Sequence, residues 1–349
     1  MHETDLPMVT VIAPCRNEAE FIERAIKSIL NNDYPAEKME ILVADGMSDD
    51  GTREIVQKMA KNDERIRLLD NPQRIVPSAM NIGIKVACGR YIIRIDCHST
   101  FAHDYISKCV EVSCRTGADN VGGYCATLPG ADTAVAQAIA AAASCGFGVG
   151  NAMFRLQGPE QEVDTVPFGT YRKNIFDKIG LYDERLIRNQ DIELNSRIRK
   201  AGGRIVISPE IKLSYYARAT YRGLWQQSFN NGLWNPYTIW LVAGGLSLRH
   251  FVPMCFVLGL AGLALGGLLW EPTKWTLLGC VVVYLSIAIA FAIRCARQTK
   301  VSALLVVLAF VVLHIAYGLG SLWGLATAPF KFPYRRGRLI NKPSPDKVT

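Results

Sequence analysis

The chain has 349 residues, 50% of them apolar and 20% charged, with a mean hydropathy of +0.13. That is too apolar for one ordinary soluble domain and too charged for a polytopic carrier throughout. The net charge of +8 is uneven: residues 236–349 hold 11 Lys and Arg against 2 Asp and Glu, and the preceding part is close to balance. This excludes a nucleic-acid binder, whose basic clusters sit on its folded domain, and predicts membrane spans with basic flanks.

The opening MHETDLP lacks the basic-then-apolar pattern of a secretory leader. Residues 9–13 (VTVIA) predict a buried strand. Asn17 is then expected to cap a helix with Glu20 as its capping-box partner, and Phe21, Ile22, Ala25, Ile26, Ile29 and Leu30 form the apolar stripe. Residues 41–44 predict a second strand, followed by a Gly/Ser/Asp loop at 45–51 and a helix over about 52–60. A third strand at 66–69, a helix at 78–88 and a fourth strand at 91–95 ending on Asp96 complete an alternating pattern. That alternation means an α/β fold with a mostly parallel sheet, in which ligands bind at the carboxyl ends of the strands. The polar segments 14–18, 45–52 and 96–98 all follow strand ends.

Further on, the pattern predicts an Ala-rich helix at 132–145, a helix at 190–201 ended by Gly202 and Gly203, and a strand at 204–207. Residues 221–234 mix aromatics with amides, as suits a helix lying at a membrane surface. The runs 251–270 and 275–293 carry no charge, and 301–328 carries only His314 and Tyr317 as ionisable groups. Each is long enough to cross a hydrocarbon core of about 30 Å. Gly262/Gly266 and Gly320/Gly324 have the spacing that lets helices pack closely. The predicted division is a catalytic domain over 1–235 and a membrane region over 236–349, with spans near 251–270, 275–293 and 301–325.

The ten cysteines are scattered without a C-x-x-C pair, which predicts free thiols in a reducing compartment and a cytoplasmic catalytic domain. Three full crossings would then leave the basic tail (Lys331, Arg335, Arg336, Arg338) outside, against the positive-inside tendency. The expectation is therefore a cytoplasmic tail, with one run re-entrant or residues 236–250 adding a crossing.

Three features point to chemistry. Asp45 ends a strand, where its carboxylate can accept from a base ring N–H or serve as a turn former. Asp96 and His98, two apart after a strand, suit one Mn²⁺ or Mg²⁺ ion bridging a diphosphate, or a simple polar strand end. Asp191 opens an amphipathic helix, as an N-cap or as a general base for an acceptor hydroxyl.

Taken together, these segments resemble the family-2 glycosyltransferases of the GT-A fold over about residues 8–235. The resemblance is carried by VTVIAPCRNEAEFIERAIKSILNNDYP, by Asp45 after the second strand, by GRYIIRIDCH, and by VPFGTYRKNIFDKIGLYDE followed by NQDIELNSRIRKAG. It implies an inverting transfer from a UDP-sugar. Pro14, Asn17, Glu18, Asp45, Arg74, Asn81 and Asp96 would bind the nucleotide-sugar, with Glu18 on the ribose and Asp45 on the base. Asp96 and His98 would hold the metal, and Asp191 would be the catalytic base.

Three positions depart from the family pattern: Gly46 stands for a second Asp, His98 for the second Asp of the metal motif, and Gln190 for the Glu before the base. The Asp-x-His form and QQSFNNGLW resemble the membrane-linked enzymes of succinoglycan-type exopolysaccharide assembly. That implies a polyprenyl-diphosphate-linked saccharide as acceptor, a bacterial plasma-membrane location and other assembly enzymes as partners. A polyprenyl-phosphate sugar synthase, a processive synthase and a non-catalytic nucleotide-sugar scaffold stay open as alternatives.

Overall fold

The computed structural model describes residues 6–150, 152–242 and 246–332. Arg335, Arg336 and Arg338 of the basic tail lie outside the described residues.

The chain alternates strand and helix from its start, as the apolar periodicity predicts: β1 (Val9–Cys15), α1 (Ile22–Leu30), β2 (Met39–Asp45), α2 (Thr52–Asn62), β3 (Ile66–Asp70), α3 (Val76–Val86) and β4 (Tyr91–Arg94). It continues through β5 (Ser99–Phe101), α4 (Tyr105–Thr116), β6 (Asn120–Leu128), α5 (Ala134–Ala143), the short α6 (Gly146–Val149), β7 (Gln161–Glu162) and β8 (Thr170–Arg172). The domain closes with α7 (Ile175–Ile179), α8 (Gln190–Lys200) and β9 (Ile205–Tyr216). One sheet runs in the order β3-β2-β1-β4-β8-β6-β9-β5, with β7 paired to β9. The strands from β3 to β4 are parallel; beyond β4 the sheet is mixed, because β8 is antiparallel to both β4 and β6. This is the Rossmann-like GT-A arrangement.

Alternation of side chains along each strand builds two cores. Val9, Val11 and Ala13 face α1 and α4 with Ile22, Ile26, Tyr105 and Ile106. Ile12 and Ile92 face the other way, onto Met80, Tyr171, Leu194 and Ile198. The β6–β9 register shifts between Gly123 and Tyr124, where a Cβ at Gly123 would run into the Ile211 carbonyl. Only glycine allows that backbone approach.

Asn17 does not cap α1. The N-cap is Phe21, without a side-chain bond, and the Glu18 carbonyl accepts from Phe21 N and Ile22 N, both at 2.9 Å. Asn17 sits at φ 55° with its side-chain oxygen spent on the Asp49 N–H (3.1 Å), which draws it away from the helix.

After β9 comes α9 (Tyr221–Leu241), capped by Thr220 and continuous through Pro236 and the expected boundary at 235. Proline removes the bond to the carbonyl four residues back. That carbonyl, on Gly232, accepts instead from the Ser321 hydroxyl at 3.1 Å. Three apolar helices follow: α10 (Val252–Gly266), α11 (Pro272–Thr299) and α12 (Ala303–Lys331), each with its flanks long and apolar enough to cross a membrane. Gly320 and Gly324 do permit a close crossing, against the Phe229 and Leu233 carbonyls of α9, whereas Gly262 meets nothing within 4 Å.

His314 is held on both ring nitrogens. Nε2 lies 2.9 Å from the Phe147 carbonyl, and Nδ1 lies 2.9 Å from the Tyr284 hydroxyl. A carbonyl only accepts, so the ring proton sits on Nε2. The histidine thus pins the loop of α6 between α11 and α12.

Candidate functional site

The site lies at the carboxyl ends of β1, β2 and β4 and is closed by the start of α8. Two loops, 14–19 and 45–52, are zipped together. Asn17 N donates to Ser48 Oγ (2.8 Å), Glu18 N to Thr52 Oγ1 (2.8 Å) and Ala19 N to Asp50 Oδ2 (3.0 Å). Pro14 follows the last β1–β4 register pair, Ile12 with Arg94, so its missing N–H costs that ladder nothing.

Asp45 sits at the centre of this zip with its side chain fully buried. It accepts from Ser48 N (3.0 Å), from the Ser48 hydroxyl and from Arg53 Nη1 (2.7 Å), and Arg53 reaches on to Asp70 at 2.7 Å. Burial alone would raise its carboxyl, but the Ser48 and Arg53 bonds outweigh that and hold it below the usual range. The same burial, together with Asp45, pushes the Cys15 thiol up. Asp45, expected to meet the base, also shapes the loop through these bonds, because a carboxylate buried this deeply must be partnered.

Asp96, His98 and Glu18 are brought together. Asp96 Oδ1 accepts the His98 N–H at 3.0 Å, and His98 Nε2 lies 3.2 Å from Glu18 Oε2. The Phe21 ring lies 4.4 Å from the imidazole. The Glu18 hydrogen bond raises the His98 pKa, overcoming partial burial. Among the described residues no three His, Cys, Asp or Glu side chains cluster tightly enough to hold an ion alone. The donor chemistry does fit a hard divalent cation that takes part of its shell from protein and the rest from substrate phosphates and water. Asp96 and His98 are the residues that would hold it, and the ion would displace the proton shared with Glu18.

Asp191 stands in the first turn of α8. The N-cap is Asn189, in a left-handed conformation, while Asp191 Oδ1 accepts from the Ile192 N–H at 2.9 Å, satisfying one of the free donors of the first turn. Asn189 Nδ2 bonds Asn235 Oδ1 (3.0 Å) and Thr238 Oγ1 (3.2 Å), tying the first turn of α8 to α9. Gln190 is buried and its Oε1 has no partner.

Asn81 and Arg74, the other two expected donor contacts, have different surroundings. Asn81 is buried, with its amide spent on the Tyr182 backbone (2.9 and 3.0 Å) and on Glu184 (2.8 Å); it positions the chain leading to α8 rather than meeting a ligand. Arg74 is exposed at φ 59° in the turn before α3.

Arg94 is the residue that sequence reasoning missed. It is 8% exposed, and its Nε has no hydrogen-bond partner. Alternation puts it on the same face of the β4 end as Asp96, the face covered by α8. Burial would lower its pKa, but interactions with Tyr182, Asp191, Tyr171 and Asp96 prevail and raise it; of these only the two aspartates are negatively charged, since burial keeps both tyrosines protonated. The signal was visible: a lone charge inside the apolar run YIIRI.

The sequence profile described as Glycosyl transferase family 2 matches residues 10–180. The succinoglycan biosynthesis protein ExoA of Rhizobium meliloti (strain 1021) is 32% identical over 313 residues, covering 89% of this chain and 92% of that protein. A dolichyl N-acetyl-alpha-D-glucosaminyl phosphate 3-beta-D-2,3-diacetamido-2,3-dideoxy-beta-D-glucuronosyltransferase of Methanococcus voltae is 27% identical, covering 75% and 82%. Among solved structures, the mannosyltransferase PcManGT of Pyrobaculum calidifontis, in complex with GDP-Man and Mn²⁺, aligns with a TM-score of 0.58 at 18% identity, over 92% of this chain and 88% of that one. With the shared fold and the long match to a relative above 30% identity, the chain belongs to glycosyltransferase family 2 and is a glycosyltransferase.

Proposed function

We propose that the protein transfers a hexose from a UDP-sugar to a polyprenyl-diphosphate-linked saccharide, with inversion, at the cytoplasmic face of a bacterial plasma membrane during exopolysaccharide assembly. The observation that carries this is Asp191. It has a half-buried carboxylate in the first turn of α8, with Oδ1 on the Ile192 N–H and Oδ2 left for a substrate, and like Asp96 it lies within electrostatic reach of the buried Arg94.

In this reading Asp191 takes the proton of the acceptor hydroxyl as the oxygen attacks the anomeric carbon. Glu18 and Asp96 bind the donor beside His98. Asp96 and His98 would hold Mn²⁺ or Mg²⁺, which when bound would neutralise charge on the departing nucleoside diphosphate. Arg94 keeps two carboxylates compatible in one closed site, since like charges at close range otherwise resist joint ionisation. The dolichyl phosphate in the name of the Methanococcus voltae relative supports a lipid-linked acceptor, the name of the Rhizobium meliloti relative supports exopolysaccharide assembly, and the three apolar helices support a membrane location.

The test is to incubate membranes carrying the protein with radiolabelled UDP-glucose, UDP-galactose and other UDP-sugars, then extract lipid. Label in the lipid fraction that depends on Asp191 supports the proposal. Transfer that survives Asp191→Asn favours a bare lipid phosphate as acceptor, because a phosphate needs no base. No release of UDP in either protein favours a scaffold.

A further inference from the structure

The catalytic domain meets the apolar helices through α5. Its run of alanines carries little bulk, so it packs closely on α11 and α12, and Ala138 and Ala142 join Ala288, Ala292, Val306 and Phe310 in one buried cluster. Phe147, just past α5, locks the junction. Its ring stacks on Phe291 (5.3 Å) and stands edge-on to Phe310 (5.0 Å) and His314 (5.1 Å).

Toward the end of α11 the same short side chains leave a gap. A cavity of about 470 Å³ remains there, with Ala140 and Ala141 of α5 on one side and Phe291, Arg294 and Gln298 of α11 on the other. The three α11 residues recur at helical spacing, so a single helix face forms that wall. The volume is that of a small-molecule site, and walls fixed by helix packing make it preformed. Among the described residues Arg294 is the one charged group lining the cavity, and it has no ion pair. It is also the first charge after the uncharged run 275–293, the level at which a helix crossing a bilayer meets phosphate headgroups.

The cavity continues toward the catalytic centre. Thr127 lines it and lies opposite Tyr215 in the β6–β9 register. Arg155 Nη1 donates to Thr127 Oγ1 at 3.2 Å, and its guanidinium lies 5.3 Å from the centre of the Tyr215 ring. The Tyr215 hydroxyl accepts from Gln227 Nε2 (3.0 Å). One turn further along α9, Asn231 accepts from Nη1 of Arg188 (2.9 Å), three residues before Asp191. Hydroxyl, amide, guanidinium and aromatic groups thus form a lane from the cavity to the turn that bears Asp191. Such groups hydrogen-bond sugar hydroxyls and cover the apolar face of a sugar ring.

We propose that the cavity between α5 and α11 seats the diphosphate of the lipid-linked acceptor, with Arg294 as its cation and Gln298 beside it, and that the attached saccharide lies along the lane toward Asp191. An unpaired guanidinium calls for an anion, and the alanine and phenylalanine wall suits the isoprene unit next to it. The position at the end of a span puts both where a lipid carries its phosphates.

This inference rests on the lipid-linked acceptor proposed above, and native mass spectrometry of the full-length protein in detergent reads the cavity without catalysis. Decaprenyl diphosphate is expected to bind wild type, and decaprenol and phosphatidylglycerol to bind more weakly. Arg294→Gln is expected to weaken decaprenyl diphosphate binding about tenfold, as for the loss of one charge-assisted hydrogen bond, and Arg294→Lys to restore part of it. Ala141→Phe, which fills the cavity, should weaken binding as well; melting curves verify that each variant is folded. In the transfer assay both substitutions should raise the KM for the lipid-linked acceptor and leave that for the UDP-sugar unchanged. Phosphatidylglycerol binding as tightly as decaprenyl diphosphate would make the cavity a site for ordinary phospholipid and overturn the proposal. Undiminished decaprenyl diphosphate binding by folded Arg294→Gln, or a rise in the donor KM alone, would overturn it too. A wild-type protein that binds decaprenyl diphosphate through Arg294 but moves no sugar to lipid defeats the transfer reading and leaves the cavity assignment standing.

Discussion

The Nε2 of His98 lies 3.2 Å from Glu18 Oε2, so one residue of the altered metal motif is paired with a residue expected on the ribose. The pair has a pH signature. His98 has a raised pKa in the folded chain, chiefly from the Glu18 hydrogen bond. A group whose folded pKa is raised contributes stability that is full below its unfolded value and is lost as pH rises through the folded value. Glu18→Gln is therefore expected to lower the melting temperature more at pH ~6 than at pH ~8.5, with the gap closing across the His98 titration. Equal losses at both values, measured by scanning fluorimetry, would contradict the pairing.

The Asp45–Arg53 pair is expected to act on stability before catalysis. Removing one partner of a buried ion pair typically costs roughly 3–5 kcal/mol, because the other charge is left behind. Arg53 is partly exposed, so Arg53→Met is expected to cost about 2–3 kcal/mol of unfolding free energy, read from urea titration. The sign with pH is opposite to that of His98. Asp45 has a depressed folded pKa, so its contribution is present above the unfolded value and fades as pH falls through the folded one. Wild type and Arg53→Met should accordingly converge in acid.

Asp191→Asn is expected to lower kcat about a hundred- to ten-thousandfold, the usual worth of a general base, while leaving the KM for the donor unchanged. Steady-state kinetics with a lipid-linked saccharide acceptor would read this directly. A comparable rise in donor KM would assign Asp191 to binding instead.

Arg94→Met is expected to separate activity from stability. Removing the guanidinium relieves the cost of burying an incompletely bonded charge but leaves Asp96 and Asp191 without its field, so stability is expected to change less than the rate. Removing the charge shared by Asp96 and Asp191 should lower turnover by about tenfold to a hundredfold. Arg94→Lys should restore part of the rate. Melting curves beside kinetics test the separation; a fall in melting temperature that Arg94→Lys does not recover together with the rate would make Arg94 a packing residue.

Gly320→Val and Gly262→Val form a matched pair. A Cβ at 320 collides with the Phe229 backbone of α9, whereas one at 262 meets nothing within 4 Å. The first is expected to abolish the α9–α12 contact and lower the yield of folded, membrane-bound protein, and the second to behave as wild type. Size-exclusion chromatography in detergent distinguishes them.

Much of the molecule was legible in order along the chain. The first four strands, their helices and the helix bearing Asp191 followed from apolar periodicity, because a side chain's face is set by local geometry. The segments 14–18, 45–52 and 96–98 were rightly placed together, because strand ends in a parallel sheet converge. The sequence could not tell that Asp45 is spent on Arg53 or Asn81 on Tyr182, nor that Glu18 turns to His98. Those partners are 8, 101 and 80 residues away along the chain. A polar side chain in a sequence shows what it can bond, and only the packed structure shows whether that capacity is already used. The apolar helices show the same division. Length and hydropathy establish that α12 is apolar enough for lipid, and tertiary contacts alone show that it is also fastened to α9 and α11.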